Sequence, residues 1–287
     1  MKQKAEMMWD KGRFADAIGL LEQNLHLGEN VNNTLQIFKA KYKEQTGGEY
    51  EDEEMRRIER FAKWAKTSGV QFNKIGLKQI VPGNRGIYAM KPVFPEERIL
   101  TVPEKLIITE DKGRDTELGK LVAASGVRLK FPHIFYLTLL IMEELNKKDS
   151  IWRPYMDVYP KTASNFPVFY TKEEKSLLIG TSLYPAITRE TVGNIEEYNS
   201  VVAKVPELKK FSVDDFIKYT TLTVSRQFAV DIGSKKRRMI VPLADMFNYI
   251  QDKSRQTYWS YSDEEGIFFI KAKRNIPSGE DVRISNM

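Results

Sequence analysis

Short β-type runs occupy two separate parts of the chain, and a long helical pattern lies between them. The first part holds runs at residues 74–80, 86–90, 98–102 and 106–109, and the second holds runs at 239–241, 256–261, 266–272 and 281–284. Prolines and glycines separate the runs, as is typical of strands joined by turns. Residues 117 to about 230 have helical periodicity. The layout predicts an α+β fold in which a helical insert interrupts a β-rich unit.

The N-terminal residues 2–42 also have helical spacing, with Ile18, Leu21 and Leu25 on one stripe and interruptions at Gly12 and Gly28. This pattern predicts a helical hairpin. The hairpin is interpreted as a packing appendage, with a partner-docking helix pair as the alternative.

Composition limits the classes of function. The 287 residues include no cysteine and two histidines, which argues against disulfides and thiolate or histidine-rich metal sites, so no metal is expected. No apolar run approaches the roughly 20 residues of a membrane span. The basic residues (45) and acidic residues (39) are interspersed, giving a net charge of +6. We expect a cytoplasmic or nuclear protein with a protein partner, no membrane association and no nucleic-acid partner. A nucleic-acid-binding domain has only this charge in its favour.

Residues 235–238, with the sequence Lys-Lys-Arg-Arg, form the densest basic run. We predict a solvated loop there, and a nuclear-import or acidic-partner patch is the alternative.

A set of local sequences occurs in an order that resembles one known family. They are FAKW (61–64), GVQF (69–72), GNRGIYA (83–89), IWRPYMDVYP (151–160), PVFY (167–170), LIGTS (178–182), DDFI (214–217), VSRQF (224–228), VPLADMFNY (241–249) and IPSGEDV (276–282). Together they resemble the SET-domain protein lysine methyltransferases of the RuBisCO large subunit methyltransferase type. The resemblance implies a knotted β-fold of small sheets with inserted helices.

The resemblance also implies a domain plan and an activity. Residues 1–56 are predicted to form an N-terminal helical segment, and 57–287 a SET domain with its insert at about 115–232 and its C-terminal part at about 236–287. The implied activity is S-adenosylmethionine-dependent N-methylation of lysine in a non-histone protein. Transfer to a histidine of the target is a variant of the same activity.

Two segments are implied to contact the methionine end of the cofactor. The first is the turn Gly83, Asn84, Arg85 and Gly86, since glycine lacks the Cβ that would hold a ligand away from the backbone. A plain β-turn is its alternative. The second is Arg226, whose guanidinium would pair with the cofactor carboxylate. Its alternative is an ordinary pairing with a local Asp or Glu.

The segment 241–249 supplies the remaining implied cofactor residues. Asn248 both donates and accepts hydrogen bonds, and Asp245 can hold the turn or accept from a backbone amide. The family usually has His where this chain has Tyr249. A contact through the backbone of Tyr249 would tolerate that change, because every non-proline residue carries both N–H and C=O.

Four aromatic residues are candidates for a substrate channel: Phe228, Tyr258, Trp259 and Tyr261. A target lysine needs an apolar channel that removes water from its amine, because desolvation lowers the amine pKa and only the neutral amine has a free lone pair. Packing in the core is the alternative role for these rings.

The family's final strand carries a tyrosine that orients the sulfonium and the amine, whereas residues 281–287 contain none. The nearest position is Asn286, so the catalytic residue is unknown. Either the tyrosine lies beyond Met287, or the chain is a catalytically weak SET module that binds a protein partner.

Overall fold

The computed structural model describes residues 2–10, 14–22, 24, 28–46, 53–81, 84–233, 235–250 and 256–285. It comprises two compact units. Unit 1 contains Met1–Leu100, Met246–Tyr258 and Ile270–Met287, and unit 2 contains Thr101–Asp245 and Trp259–Phe269.

Unit 1 begins with three helices: α1 (Lys2–Asp10), α2 (Phe14–Glu22) and α3 (Glu29–Thr46). They share a small core in which the Trp9 ring lies 4.7 Å from that of Phe38 and packs with Ile18, Leu21 and Leu35. The sequence pattern predicted a hairpin, and the structure has a third helix because Gly28, at a φ of +106°, begins a new amphipathic segment. Gly12 and Leu25 lie outside the described residues.

Helix α4 (Glu53–Thr67) follows and buries Ile58, Phe61 and Ala65 on one face. Strands β1 (Ile75–Val81) and β2 (Asn84–Ala89) then form an antiparallel pair. The C-terminal residues meet β2, since the Val282 amide donates to the Ile87 carbonyl at 2.7 Å. Strand β7 (Asn248–Tyr249) pairs in parallel with β10 (Arg283–Ile284).

Three strands form a sheet of order β3-β9-β8: β3 (Arg98–Pro103), β8 (Thr257–Ser262) and β9 (Ile267–Ala272).

Unit 2 contains most of the helices. They are α5 (Glu110–Arg114), α6 (Glu117–Ala124), α7 (Pro132–Asn146), α8 (Arg153–Val158), α9 (Lys172–Ser176), α10 (Leu183–Lys204) and α11 (Val213–Arg226). Helix α7 is buried along nine of its residues and packs with α6, α10 and α11 around Phe135, Leu139 and Phe216. No helix in the described ranges is both long and apolar enough to cross a membrane.

A second three-stranded sheet, in the order β4-β6-β5, completes unit 2 with β4 (Ile108–Thr109), β5 (Gln227–Ile232) and β6 (Lys235–Ile240). Two predictions are wrong here. Residues 227–230 are strand, not helix, and Lys235–Arg238 belong to β6, not to a loop. The reason is hairpin pairing: every residue of β6 has a partner in β5, from Gln227↔Ile240 to Ile232↔Lys235.

The α+β class, the separated β-rich parts and the inserted helices are confirmed by this architecture. The proposed domain boundaries remain predictions.

Candidate cofactor site

The first group of predicted cofactor residues lies in unit 1, and we call Gly86, Asn248 and Asp281 the amide cluster. A Cβ built on Gly86 would lie 2.5 Å from Asn248 Nδ2 and 3.3 Å from Asp281 Oδ1. Asn248 Nδ2 faces Asp281 Oδ1 at 3.5 Å, and Arg283 Nε donates to Asp281 Oδ2 at 2.7 Å. Gly86 therefore gives the Asn248 carboxamide room to approach β2, which is a structural reason for this glycine beside the cofactor contact and the plain β-turn that the sequence suggested.

The other residues of unit 1 that were predicted to contact the cofactor are sequence neighbours of Gly86 and Asn248. Arg85 is half-buried and opposes Gln79 across the β1–β2 ladder. Asn84 opens β2, and Gly83 lies outside the described residues. Tyr249 is 54% exposed, and its backbone is held by β10. That this position contacts the cofactor through its main chain stays a prediction.

The second group lies in unit 2, and we call Arg226, Asp245 and Tyr155 the ionic cluster. Arg226 Nη1 donates to Asp245 Oδ2 at 3.0 Å and to the Asp245 carbonyl at 3.1 Å. The Tyr155 hydroxyl donates to the same Oδ2 at 2.7 Å. The Arg226 guanidinium also lies over the Tyr159 ring, 5.6 Å from its centroid. The carboxylate partner that the structure shows for Arg226 is thus Asp245, which lies 19 positions away in sequence, and a contact of Arg226 with the cofactor stays a prediction.

Local structure explains these positions. Ser212 caps the start of helix α11, since its hydroxyl accepts from the Asp215 amide, and the helix ends at Arg226, after which the backbone of Gln227 is extended. Asp245 sits in the 3₁₀ turn Ala244–Met246 with a fully buried side chain. Tyr155 belongs to the short helix α8 and is also fully buried.

Burial and charge shape the ionic cluster. Burial alone would lower the pKa of Arg226, but the adjacent Asp245 carboxylate together with Tyr155 and Tyr159 more than offsets this, and the pKa lies above its ordinary value. Burial, reinforced by Asp245, raises the pKa of Tyr155 well above its ordinary value. At neutral pH Tyr155 is therefore a neutral donor that holds a charged pair.

The ionic cluster has the donors and acceptors that the amino-acid end of S-adenosylmethionine requires. Arg226 Nε and Asp245 Oδ1 are buried and have no hydrogen-bond partner within the described part of the chain. About 20% of the Arg226 side chain remains exposed. Because buried polar groups are normally paired, a ligand carrying both a carboxylate and an ammonium fits this donor and acceptor set.

The predicted channel residues divide between two faces of β8. Phe228 packs edge-on against Trp259, with centroids 5.3 Å apart, and against Phe268 at 5.1 Å. Alternation along the strand directs Tyr258 to the face opposite Trp259 and Tyr261. Tyr258 instead donates to Glu96 at 2.7 Å. Phe228 and Trp259 are brought together, whereas Tyr258 is not part of their cluster.

Sequence reasoning assigned no role to Tyr155 or Asp281. Both lay inside recognised motifs, but their contacts join residues 90 and 33 positions apart, and no local signal reports such pairing. Asn286 lies outside the described residues. Within the described ranges, no three His, Asp or Glu side chains are grouped to hold a metal ion.

Comparison with known proteins gives a family. The SET domain model matches residues 84–285. The actin-histidine N-methyltransferase of Drosophila melanogaster is 34% identical over 128 residues, covering 44% of this chain and 22% of that protein. The chloroplastic [fructose-bisphosphate aldolase]-lysine N-methyltransferase of Arabidopsis thaliana is 26% identical over 240 residues, covering 79% of this chain and 48% of that protein. This chain thus spans less than half the length of either relative.

Solved structures agree on the fold. The SET domain of LSMT bound to lysine and AdoHcy superposes with a TM-score of 0.70 at 20% identity, covering 82% of this chain and 54% of that one. Rubisco LSMT bound to AdoMet superposes with a TM-score of 0.66 at 22% identity, covering 80% and 52%. The predicted cofactor, S-adenosylmethionine, is that of the family. From the matched 84–285 segment and the shared fold, the chain belongs to the SET domain family, in which its relatives are protein methyltransferases.

Proposed function

We propose that the protein is an S-adenosylmethionine-dependent lysine N-methyltransferase that acts on a non-histone protein. The observation that carries this proposal is the ionic cluster, in which a buried Arg–Asp pair keeps an unpaired donor and an unpaired acceptor for a zwitterionic ligand. The lysine methyltransferase of aldolase, which aligns with 79% of the chain, supports the choice of a lysine in a non-histone target. The absence of cysteine supports a cytoplasmic or nuclear location.

In this proposal the chain binds the cofactor through two sets of groups. Arg226 pairs with the cofactor carboxylate and Asp245 with its ammonium, while the Tyr155 hydroxyl donates to Asp245 and orients it. The backbone and amide contacts to the cofactor come from a second set of residues: Gly83, Asn84, Arg85, Gly86, Asn248 and Tyr249. Because the Asp245 carboxylate already balances the charge of Arg226, Arg226 acts on its ligand through geometry and hydrogen bonding more than through net charge.

The aromatic residues suit a lysine substrate. Bound S-adenosylmethionine supplies an electrophilic methyl group, and the protein must present a neutral amine to it. Phe228 and Trp259 are buried, at 4% and 7% exposure, so in this proposal they form the apolar backing of the channel that the lysine stem passes. The Trp259 indole N–H already donates to the Ala229 carbonyl at 3.2 Å. An imidazole would need a hydrogen-bond partner that this ring pair does not offer.

Transfer to histidine is the second candidate, and one observation favours it: the Drosophila relative, named for actin-histidine methylation, is 34% identical over its matched segment. Mass spectrometry of target peptides separates the two candidates, because the methylated residue is read directly from fragment ions. Methyl-histidine with no methyl-lysine would replace the lysine proposal.

Titration calorimetry with S-adenosylmethionine tests cofactor binding. We expect binding by the wild-type chain, about tenfold or greater loss in Arg226→Met and Asn248→Ala, and no loss in Asn146→Ala, whose carboxamide bonds only within its own helix. Wild-type protein that is folded and does not bind the cofactor would reject the proposal and leave a catalytically weak partner-binding module.

A further inference from the structure

Strand β6 has an open edge along its first four residues. Strand β4 pairs with β6 only at Ile108↔Ile240 and Thr109↔Met239. It stops there because the Thr109 hydroxyl accepts from the Lys112 amide and caps helix α5, which turns the chain away from the sheet. Residues Lys235–Arg238 are therefore paired with β5 on one side, and no residue in the described ranges pairs with their other side.

A cavity of about 440 Å³ follows this edge. Five consecutive residues, from Lys235 to Met239, line it. Successive side chains of a strand point to opposite faces, so a cavity that touches all five lies at the strand's edge. It therefore exposes the backbone groups that an added strand would use.

The acidic groups of the cavity are already engaged by the protein. Asp111 pairs with Arg237 at 2.8 Å, and Glu110 pairs with Arg114 at 3.0 Å. Glu104 lies beside the Tyr261 hydroxyl, and burial together with this carboxylate raises the pKa of Tyr261 to about 12.

Three basic side chains of the same edge remain uncompensated. Lys235, Lys236 and Arg238 are exposed. None of them has an ion-pair or hydrogen-bond partner among the described residues. The cavity thus combines an unpaired backbone edge with three available cations.

We propose that the open edge of β6 binds an extended acidic protein segment by strand addition. Main-chain hydrogen bonds to the edge supply affinity, and carboxylates on the added strand meet Lys236 and Arg238 on one face of the sheet or Lys235 on the other. A nucleic acid fits less well, because it has no backbone pattern for a strand edge and its phosphates would meet Glu104 and Glu110. If these basic residues serve only to prevent aggregation at an open edge, the acidic peptide will not bind.

The test uses the whole chain and a capped, fluorescent peptide of alternating Glu and Val, with a Lys and Val peptide as control. Anisotropy should show binding of the acidic peptide only, weakened by salt. The triple variant Lys235→Glu, Lys236→Glu, Arg238→Glu should bind it about tenfold or more weakly. A matched variant, Lys120→Glu, Lys148→Glu, Lys209→Glu, changes net charge equally at exposed sites elsewhere and should bind normally.

Two further peptides separate strand addition from simple charge attraction. Each is acidic and N-methylated at alternate residues, in one phase or the other, so that each loses the donors of one edge. We expect one to lose binding and the other to keep it. Equal binding of both, equal binding by the two triple variants, or no binding of the acidic peptide would overturn the proposal. Binding is measured without S-adenosylmethionine, so either result leaves the methyltransferase proposal to its own test.

Discussion

The ionic cluster and the amide cluster hold predicted cofactor residues by opposite means. Asp245 is fully buried and receives both Arg226 and Tyr155 at 3.0 Å or less. In the amide cluster, Asn248 Nδ2 lies in the space that a Cβ on Gly86 would need, and the distance from Asn248 Nδ2 to Asp281 Oδ1 is long at 3.5 Å. A buried charge must keep its partners, whereas a half-buried carboxamide can move at little cost. We therefore expect changes in the ionic cluster to affect stability first, and changes in the amide cluster to affect binding first.

Asp245→Ala should give the largest effect. It leaves Arg226 without its carboxylate and the Tyr155 hydroxyl without its acceptor, so the free energy of unfolding should fall by about 3–5 kcal/mol. Urea denaturation followed by circular dichroism measures the loss. The matched change Asp281→Ala, at a side chain that is 16% exposed, should cost clearly less. Equal losses at the two positions would mean that the clusters do not differ as described.

Tyr155→Phe should rank second. It removes one hydrogen bond to a charged acceptor and should lower the free energy of unfolding by about 1.5–3 kcal/mol. Tyr198→Phe is the control, since its hydroxyl donates to a neutral carbonyl, that of Phe211, at 2.6 Å. The control should cost about 1 kcal/mol. S-adenosylmethionine affinity should fall in the first variant and not in the second, and a loss in both would point to a general structural effect.

Gly86→Ala should follow, with about 1 kcal/mol of destabilisation, because the new methyl group displaces the Asn248 carboxamide and nothing bulkier. Cofactor affinity should fall about tenfold, since that carboxamide is a proposed ligand. A double-mutant cycle with Asn248→Ala measures the coupling. In the Asn248→Ala background the alanine at position 86 should cost almost nothing in stability, and an unchanged cost would show that the methyl group meets something else.

These contacts also show how far the sequence could be read. Motif order predicted the fold and named Arg226, Asp245 and Asn248 as cofactor residues. The partner of Arg226 lies 19 positions away and that of Tyr155 lies 90 away. Spacing and periodicity report only local structure, so neither contact was predictable from the residues alone.

The β5–β6 hairpin is the clearest local failure. Residues Lys235–Arg238 are exposed at every position, so they lack the alternation that marks a strand. Strand β5 follows α11 directly, with Phe228 and Val230 as its only buried side chains. Its short pattern merges with that of the helix. Pairing between these two segments, and not the pattern of either, determines the structure.

The smallest expected effect is a difference in alkaline stability between the two clusters. Burial, followed by Asp281, raises the pKa of Tyr88, which bridges to Asp281 next to the amide cluster, and burial raises that of Tyr155 much further. A tyrosine whose folded-state pKa is raised contributes stability that is complete below its unfolded pKa of about 10 and is lost as pH rises toward the folded value. Between neutral pH and the alkaline range, wild-type stability should therefore fall.

Phenylalanine variants assign that fall to one cluster. Tyr155→Phe should flatten the dependence of the urea midpoint on pH above about 10, because it removes the group with the larger pKa difference. Tyr88→Phe should flatten it less, since that ring is only half-buried. If Tyr88→Phe flattens the curve more than Tyr155→Phe does, the larger pKa difference belongs to Tyr88, and the ionic cluster is not the more strongly desolvated of the two clusters.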